Sequence, residues 1–305
     1  MTSPGGLPGN AENSRGKPLG HHVPANGLTH HVLEWPAAAP VATALLLHGF
    51  MDAAGTWDLV APTLAEAGLR VLAPDLRGFG EGARVPAGGY YHFPDYVFDV
   101  ADLVDALVPA GSRLVVVGHS MGGTVATLYA GSFPSRVTGL VVAEGAGPPD
   151  GEHAHAPERM ARWIEETRSV RARGERTMTS REDALRRLVV NHPLVPVDIL
   201  RTRLDVLARD LPDGRVAWRA DPLHATRSPV TFFAASFKEF ARRVTCPVLF
   251  VSGGNLGWHP PDEGDRIASF ASVERAELPD AGHMMHWTRP GDLATLLLRF
   301  ALPPS

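Results

Sequence analysis

Ser120 lies in Gly118-His119-Ser120-Met121-Gly122, a G-x-S-x-G spacing that can lift a serine hydroxyl onto a sharp turn. The flanks give the pattern its weight. Leu114-Val-Val-Val117 is a short apolar, β-branched run that reads as a buried strand, and GTVATLYAGSF after the turn reads as a helix. Strand, turn and helix together place Ser120 at a strained backbone position. Bulk two residues to either side would clash there, and Gly118 and Gly122 remove it. The free N–H groups at the start of the helix then face any anion that forms at the hydroxyl. Without those flanks the same spacing would be an ordinary turn.

A serine hydroxyl is a poor nucleophile without a base. His283 follows Asp280-Ala281-Gly282, on the loop after the last expected strand, Val273 to Leu278. That order brings it to the same sheet edge as Ser120, so it is the expected base rather than a structural histidine. His286 is expected at the pocket rim or against the terminal helix, and Asp52 as a cap or loop anchor. Glu144 ends the apolar run Val137–Ala143, where a carboxylate is costly unless it has a partner. His21-His22 and His30-His31 invite a metal reading. Adjacent strand residues point to opposite faces, so these are expected as surface and strand-edge histidines.

These residues need a sheet behind them. The chain has 305 residues, a formal net charge of −4 and no basic stripe, so one α/β domain with an insertion is expected and nucleic acid is not. One cysteine, Cys246, excludes an internal disulfide and reads as an inert buried thiol. No apolar run is long enough to span a bilayer, and the first residues carry no signal-peptide core, so a cytoplasmic protein without a membrane partner is the expectation. Residues 1–25 are expected as a disordered tail. HHVPANGLTHHVLEW reads as a hairpin turning at Asn26-Gly27. Residues 26–149 and 241–305 should form the core, with 150–240 a mostly helical cap inserted between strands. Trp163, Trp218, Phe232 and His119 are the expected pocket walls, with Leu223 and His224 as further candidates.

The chain resembles the α/β-hydrolase superfamily. The resemblance rests on HGF at 48–50, DLRGFG at 75–80, GHSMG at 118–122 and AGHMMHW at 281–287, in the family's order from about His30 onward. Glu144 to Pro149 also matches the EGxGPP stretch of its serine hydrolase-like group. The resemblance implies a mostly parallel eight-stranded sheet flanked by helices. It also implies an oxyanion hole made by the amides of Phe50 and Met121, and no metal or organic cofactor. The chain departs from the family at the acid. Around Leu256, where an aspartate is usual, there is no carboxylate. Glu144 is favoured as the acid, since some members place it at this strand end. Asp262 or Glu263, reaching back along the loop, is the alternative, and Glu144 would then only tie down the loop to Pro149. Asp280 is too close to His283 in sequence to serve.

The expected activity is hydrolysis of an ester or thioester of a small to medium apolar substrate, through Ser120, His283 and Glu144. The same machinery runs C–C bond hydrolysis, lyase chemistry and biosynthetic acyl transfer or cyclisation. From another class, the fold can serve as a non-catalytic binding protein. The sequence names neither the substrate nor the oligomeric state.

Overall fold

A computed structural model describes residues 16–302. Its strands, in chain order, are β1 (Leu19–Ala25), β2 (Leu28–Trp35), β3 (Ala42–Leu47), β4 (Leu69–Pro74), β5 (Leu114–His119) and β6 (Gly139–Ala143), then β7 (Thr177–Met178), β8 (Ala208–Asp210), β9 (Val216–Trp218), β10 (Val248–Ser252) and β11 (Val273–Glu277). The helices are α1 (Ala61–Glu66), α2 (Phe93–Leu107), α3 (Met121–Ser132), α4 (Ala156–Arg173), α5 (Arg181–Asn191), α6 (Val197–Leu207), α7 (Ala234–Arg243), α8 (Glu263–Ile267), α9 (Met285–Thr288) and α10 (Pro290–Ala301). None of them is long and apolar enough to cross a membrane.

The main sheet has eight strands in the order β1-β2-β4-β3-β5-β6-β10-β11. β1 and β2 form an antiparallel hairpin, β2 pairs antiparallel with β4, and the remaining pairs are parallel. The central strands are buried along their whole length and almost wholly apolar, because helices cover both faces. One core lies between the sheet and α2, α3 and α7, and a second between the sheet and α1 and α10. Each Val or Leu buried this way contributes about 1.5–3 kcal/mol.

The hairpin corrects the expected N-terminal tail. Residues 19–25 are strand, because Val23 and Ala25 bury apolar side chains beside β2. The tail's first fifteen residues lie outside the described residues. Asn26 and Gly27 have φ of 45° and 71°, as a two-residue hairpin turn requires. The histidine pairs do split between faces. His21 meets Glu34 and His31 meets Asp75, but His30 is fully buried beside Asp99, not at a surface or strand edge.

The crossover from β6 to β10 carries the inserted segment. It holds α4, α5 and α6, and also a small antiparallel sheet in the order β7-β9-β8 that the charge pattern did not signal. α7 begins at Ala234, before the expected cap boundary at 240, and packs on α3. A Cβ added at Gly131 would lie 2.4 Å from the Phe240 carbonyl. The expected boundary divides a helix whose apolar face, Phe237 and Ala241, is buried in the main core.

Candidate active site

The loops after β3, β5, β6, β10 and β11 converge at the carboxyl edge of the sheet, the usual place for a site in such a fold. Ser120 lies directly after β5 with φ 51° and ψ −118°, a conformation costing about 1–3 kcal/mol for a residue with a side chain. Its amide donates to the Ala143 carbonyl at 2.9 Å, and its carbonyl accepts from Gly123 and Thr124. The surrounding backbone therefore holds the strain in place. A Cβ at Gly118 would lie 2.2 Å from the Gly122 carbonyl, and one at Gly122 would lie 2.3 Å from that of Leu47. The glycines are required by close approach, as the spacing implies.

His283 reaches Ser120 from the loop after β11, with Nε2 3.0 Å from the serine Oγ. Its Nδ1 lies 2.7 Å from Glu144 Oε2. A carboxylate only accepts, so Nδ1 carries the proton and Nε2 presents a lone pair to the serine hydroxyl. Glu144 is buried, at φ 47°, and accepts two further hydrogen bonds, from the amides of Gly253 at 2.6 Å and Trp258 at 2.8 Å. Burial pushes its pKa up. The hydrogen bonds from His283, Trp258 and Gly253 outweigh that and hold it below the ordinary carboxylate value. The loop that lacks a carboxylate near Leu256 thus contributes two N–H donors to one fixed on β6. Asp262 and Glu263 go elsewhere. Asp262 pairs with Arg266 at 2.8 Å and Glu263 with His259 at 2.9 Å.

Phe50 and Met121 both line the cavity at Ser120. Met121 opens α3, so its amide is among the helix's unpaired donors. The turn carrying Phe50 packs on Ser120, since a Cβ at Gly49 would lie 3.2 Å from that of Ser120. The cavity is about 540 Å³. Its walls differ from those expected. Trp163 sits behind the wall, edge-on to Tyr90, and Trp218, half-buried in β9, packs against the cluster formed by α5, α6 and Trp287. Phe232 lines a neighbouring groove instead. Leu223 and His224 do line the cavity, joined by Tyr91, Phe93 and Trp258. The Tyr90-Tyr91-His92-Phe93 run was the signal for this wall, readable only once α2 is aimed at the elbow.

His119 corrects its expected place, and of the two places expected for His286 the pocket rim is excluded. Both are buried and neither lines the cavity. His119 Nε2 donates to the His283 carbonyl at 2.8 Å, so the residue before Ser120 anchors the backbone of His283. His286 Nε2 lies 2.9 Å from Asp52 Oδ2, while Asp52 Oδ1 accepts from Ala53 and Thr56. Asp52 is thus the expected loop anchor, and it also ties the loop after β3 to the loop carrying His283. Burial pushes the Asp52 carboxyl up, but the His286 hydrogen bond and the surrounding His286, His48 and His119 together outweigh it and hold it down to about 2. Ligand atoms of Asp52, His119 and His286 lie within 4.8 Å of one another, the donor set in this region that could hold a metal.

Burial lowers the pKa of His119, His286 and His224, the last to about 4. Each is neutral when folded, while the unfolded chain protonates near 6.5. The unfolded state therefore takes up more protons as pH falls, and stability drops from about pH 6.5 downward. For His224 this amounts to on the order of 3 kcal/mol by pH 4. Thermal denaturation between about pH 8 and pH 4.5 should show Tm falling below pH 6.5, less steeply in His224→Phe. An unchanged slope in that variant would remove His224 from the account.

The alpha/beta hydrolase family model matches residues 44–296. A serine hydrolase-like protein of Dictyostelium discoideum is 25% identical over 284 residues, covering 88% of this chain and 77% of that one. An sn-1-specific diacylglycerol lipase of Mus musculus is 26% identical over 281 residues, covering 90% and 84%. Among solved structures, a hypothetical protein from Pseudomonas aeruginosa PAO1 superposes with a TM-score of 0.80 at 26% identity, covering 93% of this chain and 97% of that one. With the family model running through the strands that carry the site, the chain belongs to the alpha/beta hydrolase family.

Proposed function

We propose that the protein is a serine esterase or thioesterase acting on an apolar acyl substrate through Ser120, His283 and Glu144. The observation that carries this reading is the continuous hydrogen-bonded chain from Ser120 Oγ through the His283 ring to the buried Glu144 carboxylate. His283 Nε2 takes the hydroxyl proton as Ser120 Oγ attacks the carbonyl carbon. The Phe50 and Met121 amides receive the oxyanion, each worth about 3 kcal/mol in the transition state. His283 then returns the proton to the leaving oxygen or sulfur, and an acyl group remains on Ser120. Water attacks that acyl-enzyme by the same proton path in reverse, releasing the acid. Glu144 keeps the proton on Nδ1 throughout and faces the imidazolium that forms twice per cycle. The mostly apolar walls and the lipase name of the Mus musculus relative favour an ester over a diketone.

Steady-state hydrolysis of p-nitrophenyl acetate through octanoate tests this, alongside a vinylogous diketone and labelling by a fluorophosphonate. Turnover of the esters with labelling at Ser120 is the expected result. Turnover of the diketone alone would move the protein to C–C bond hydrolysis, and neither turnover nor labelling would make it a binding protein.

A further inference from the structure

A second apolar groove of about 1070 Å³ adjoins the cavity at Ser120. The two share His92, Phe93, Pro148, Pro149 and Ser228 as walls. From there the groove follows α2, with Val97, Ala101 and Asp105 lining it in turn, and α7 forms the facing wall through Ser236, Phe237 and Phe240. Phe93 to Asp105 is twelve helical positions, about 18 Å at 1.5 Å each. That is the span of a long alkyl chain, and more than a small ester would fill. The groove's apolar side chains are left open to solvent, with Phe98 54% and Val230 62% exposed. An uncovered strip of this kind on a folded chain marks something that binds there.

We propose that this groove holds the acyl tail of a long-chain ester or thioester whose carbonyl lies at Ser120. The inference rests on the hydrolase reading above and adds the substrate class to it. Continuity with the cavity selects the occupant, because the shared walls lead from the nucleophile into the groove. The chemistry selects which half of the ester enters. The leaving group must take its proton from His283 Nε2, so the alcohol or thiol half lies beside His283 and Trp258. Both residues line the cavity and neither lines the groove. The acyl half therefore points the other way, past Phe93 and Pro148. Ala101 stands two turns along α2 from Phe93, about 12 Å into the groove. A large side chain there should stop long tails and leave short ones alone.

The test measures kcat/KM for p-nitrophenyl esters from butanoate to palmitate, in the wild type and in Ala101→Trp. Ser236→Trp, which fills the groove from the opposite wall, serves if the first variant does not fold. In the wild type kcat/KM should climb about fourfold per buried methylene until the groove is full. The groove variant should hydrolyse butanoate as the wild type does and lose at least tenfold on palmitate. A flat series with butanoate turned over, or equal loss on both esters, overturns the groove while leaving the hydrolase reading standing. Binding of cis-parinaric acid to Ser120→Ala, read by its fluorescence, separates the two ideas. Binding that Ala101→Trp removes, with no ester turned over by the wild type, supports the groove as an alkyl-chain site and overturns hydrolysis. Binding that Ala101→Trp leaves unchanged overturns the groove.

Discussion

Ser120→Ala is expected to lower kcat on any ester the protein cleaves by about 10⁵- to 10⁶-fold, with the fold intact. The loss is large because the hydroxyl that His283 Nε2 can deprotonate is lost. Among the described side chains bonded to His283, Ser120 is the one at Nε2. The residual rate would be that of a bound ester held against the Phe50 and Met121 amides, about 10³-fold above water. KM should change little, since the hydroxyl contributes to the transition state far more than to ground-state binding. Alanine keeps the same strained φ, so stability should stay within about 1 kcal/mol of wild type. Pre-steady-state kinetics with a p-nitrophenyl ester provide the check. Wild type should give a burst of one nitrophenolate per chain if deacylation is slow, and the variant none. Retention of more than about a hundredth of the wild-type kcat would exclude Ser120 as the nucleophile and with it the acyl-enzyme route.

Much of this site was legible in the sequence because it sits at strand ends. Short apolar runs announce parallel strands, and the residue just past each run lands on the carboxyl edge of the sheet. Ser120, Glu144 and His283 were all read that way, and the structure brings their side chains together. The pocket walls were legible only in part: Leu223 and His224 do line the cavity, but no periodicity says which face of an inserted segment turns inward. Trp163 and Trp218 are large and apolar, yet one backs a wall and the other packs, half-buried, against the cluster around α5 and α6. The buried pair Asp52 and His286 was missed for a related reason. Two residues far apart in sequence meet only because the loop after β3 and α9 share one sheet edge. A histidine three positions after the base gave no sign that it would point away from the pocket.

Glu144→Gln is expected to cost about 10⁴ in kcat, with KM nearly unchanged. Both carboxylate oxygens are already accepting. Oε1 takes the Gly253 amide, and Oε2 takes the Trp258 amide and His283 Nδ1–H. A glutamine must turn its NH₂ toward one of those sets of donors. Turned toward Gly253, it leaves two donors facing each other but keeps a carbonyl on His283. The proton then stays on Nδ1, and the loss comes from removing the buried negative charge that faces the imidazolium. Turned the other way, it forces the proton onto Nε2, and His283 can no longer accept from Ser120. Either orientation leaves at least one buried N–H unpaired, which costs about 1–3 kcal/mol of stability. A purely structural Glu144 would show that stability loss together with a kcat within tenfold of wild type. A catalytic positioning role needs both losses, with the drop in kcat far exceeding what a loosened loop produces in KM. Glu263→Gln and Asp262→Asn supply the contrast. Their carboxylates are spent on His259 and Arg266, so both variants should keep nearly full activity. A severe loss in either, with Glu144→Gln still active, would transfer the acid's role to the loop after β10, where most of the family carries it.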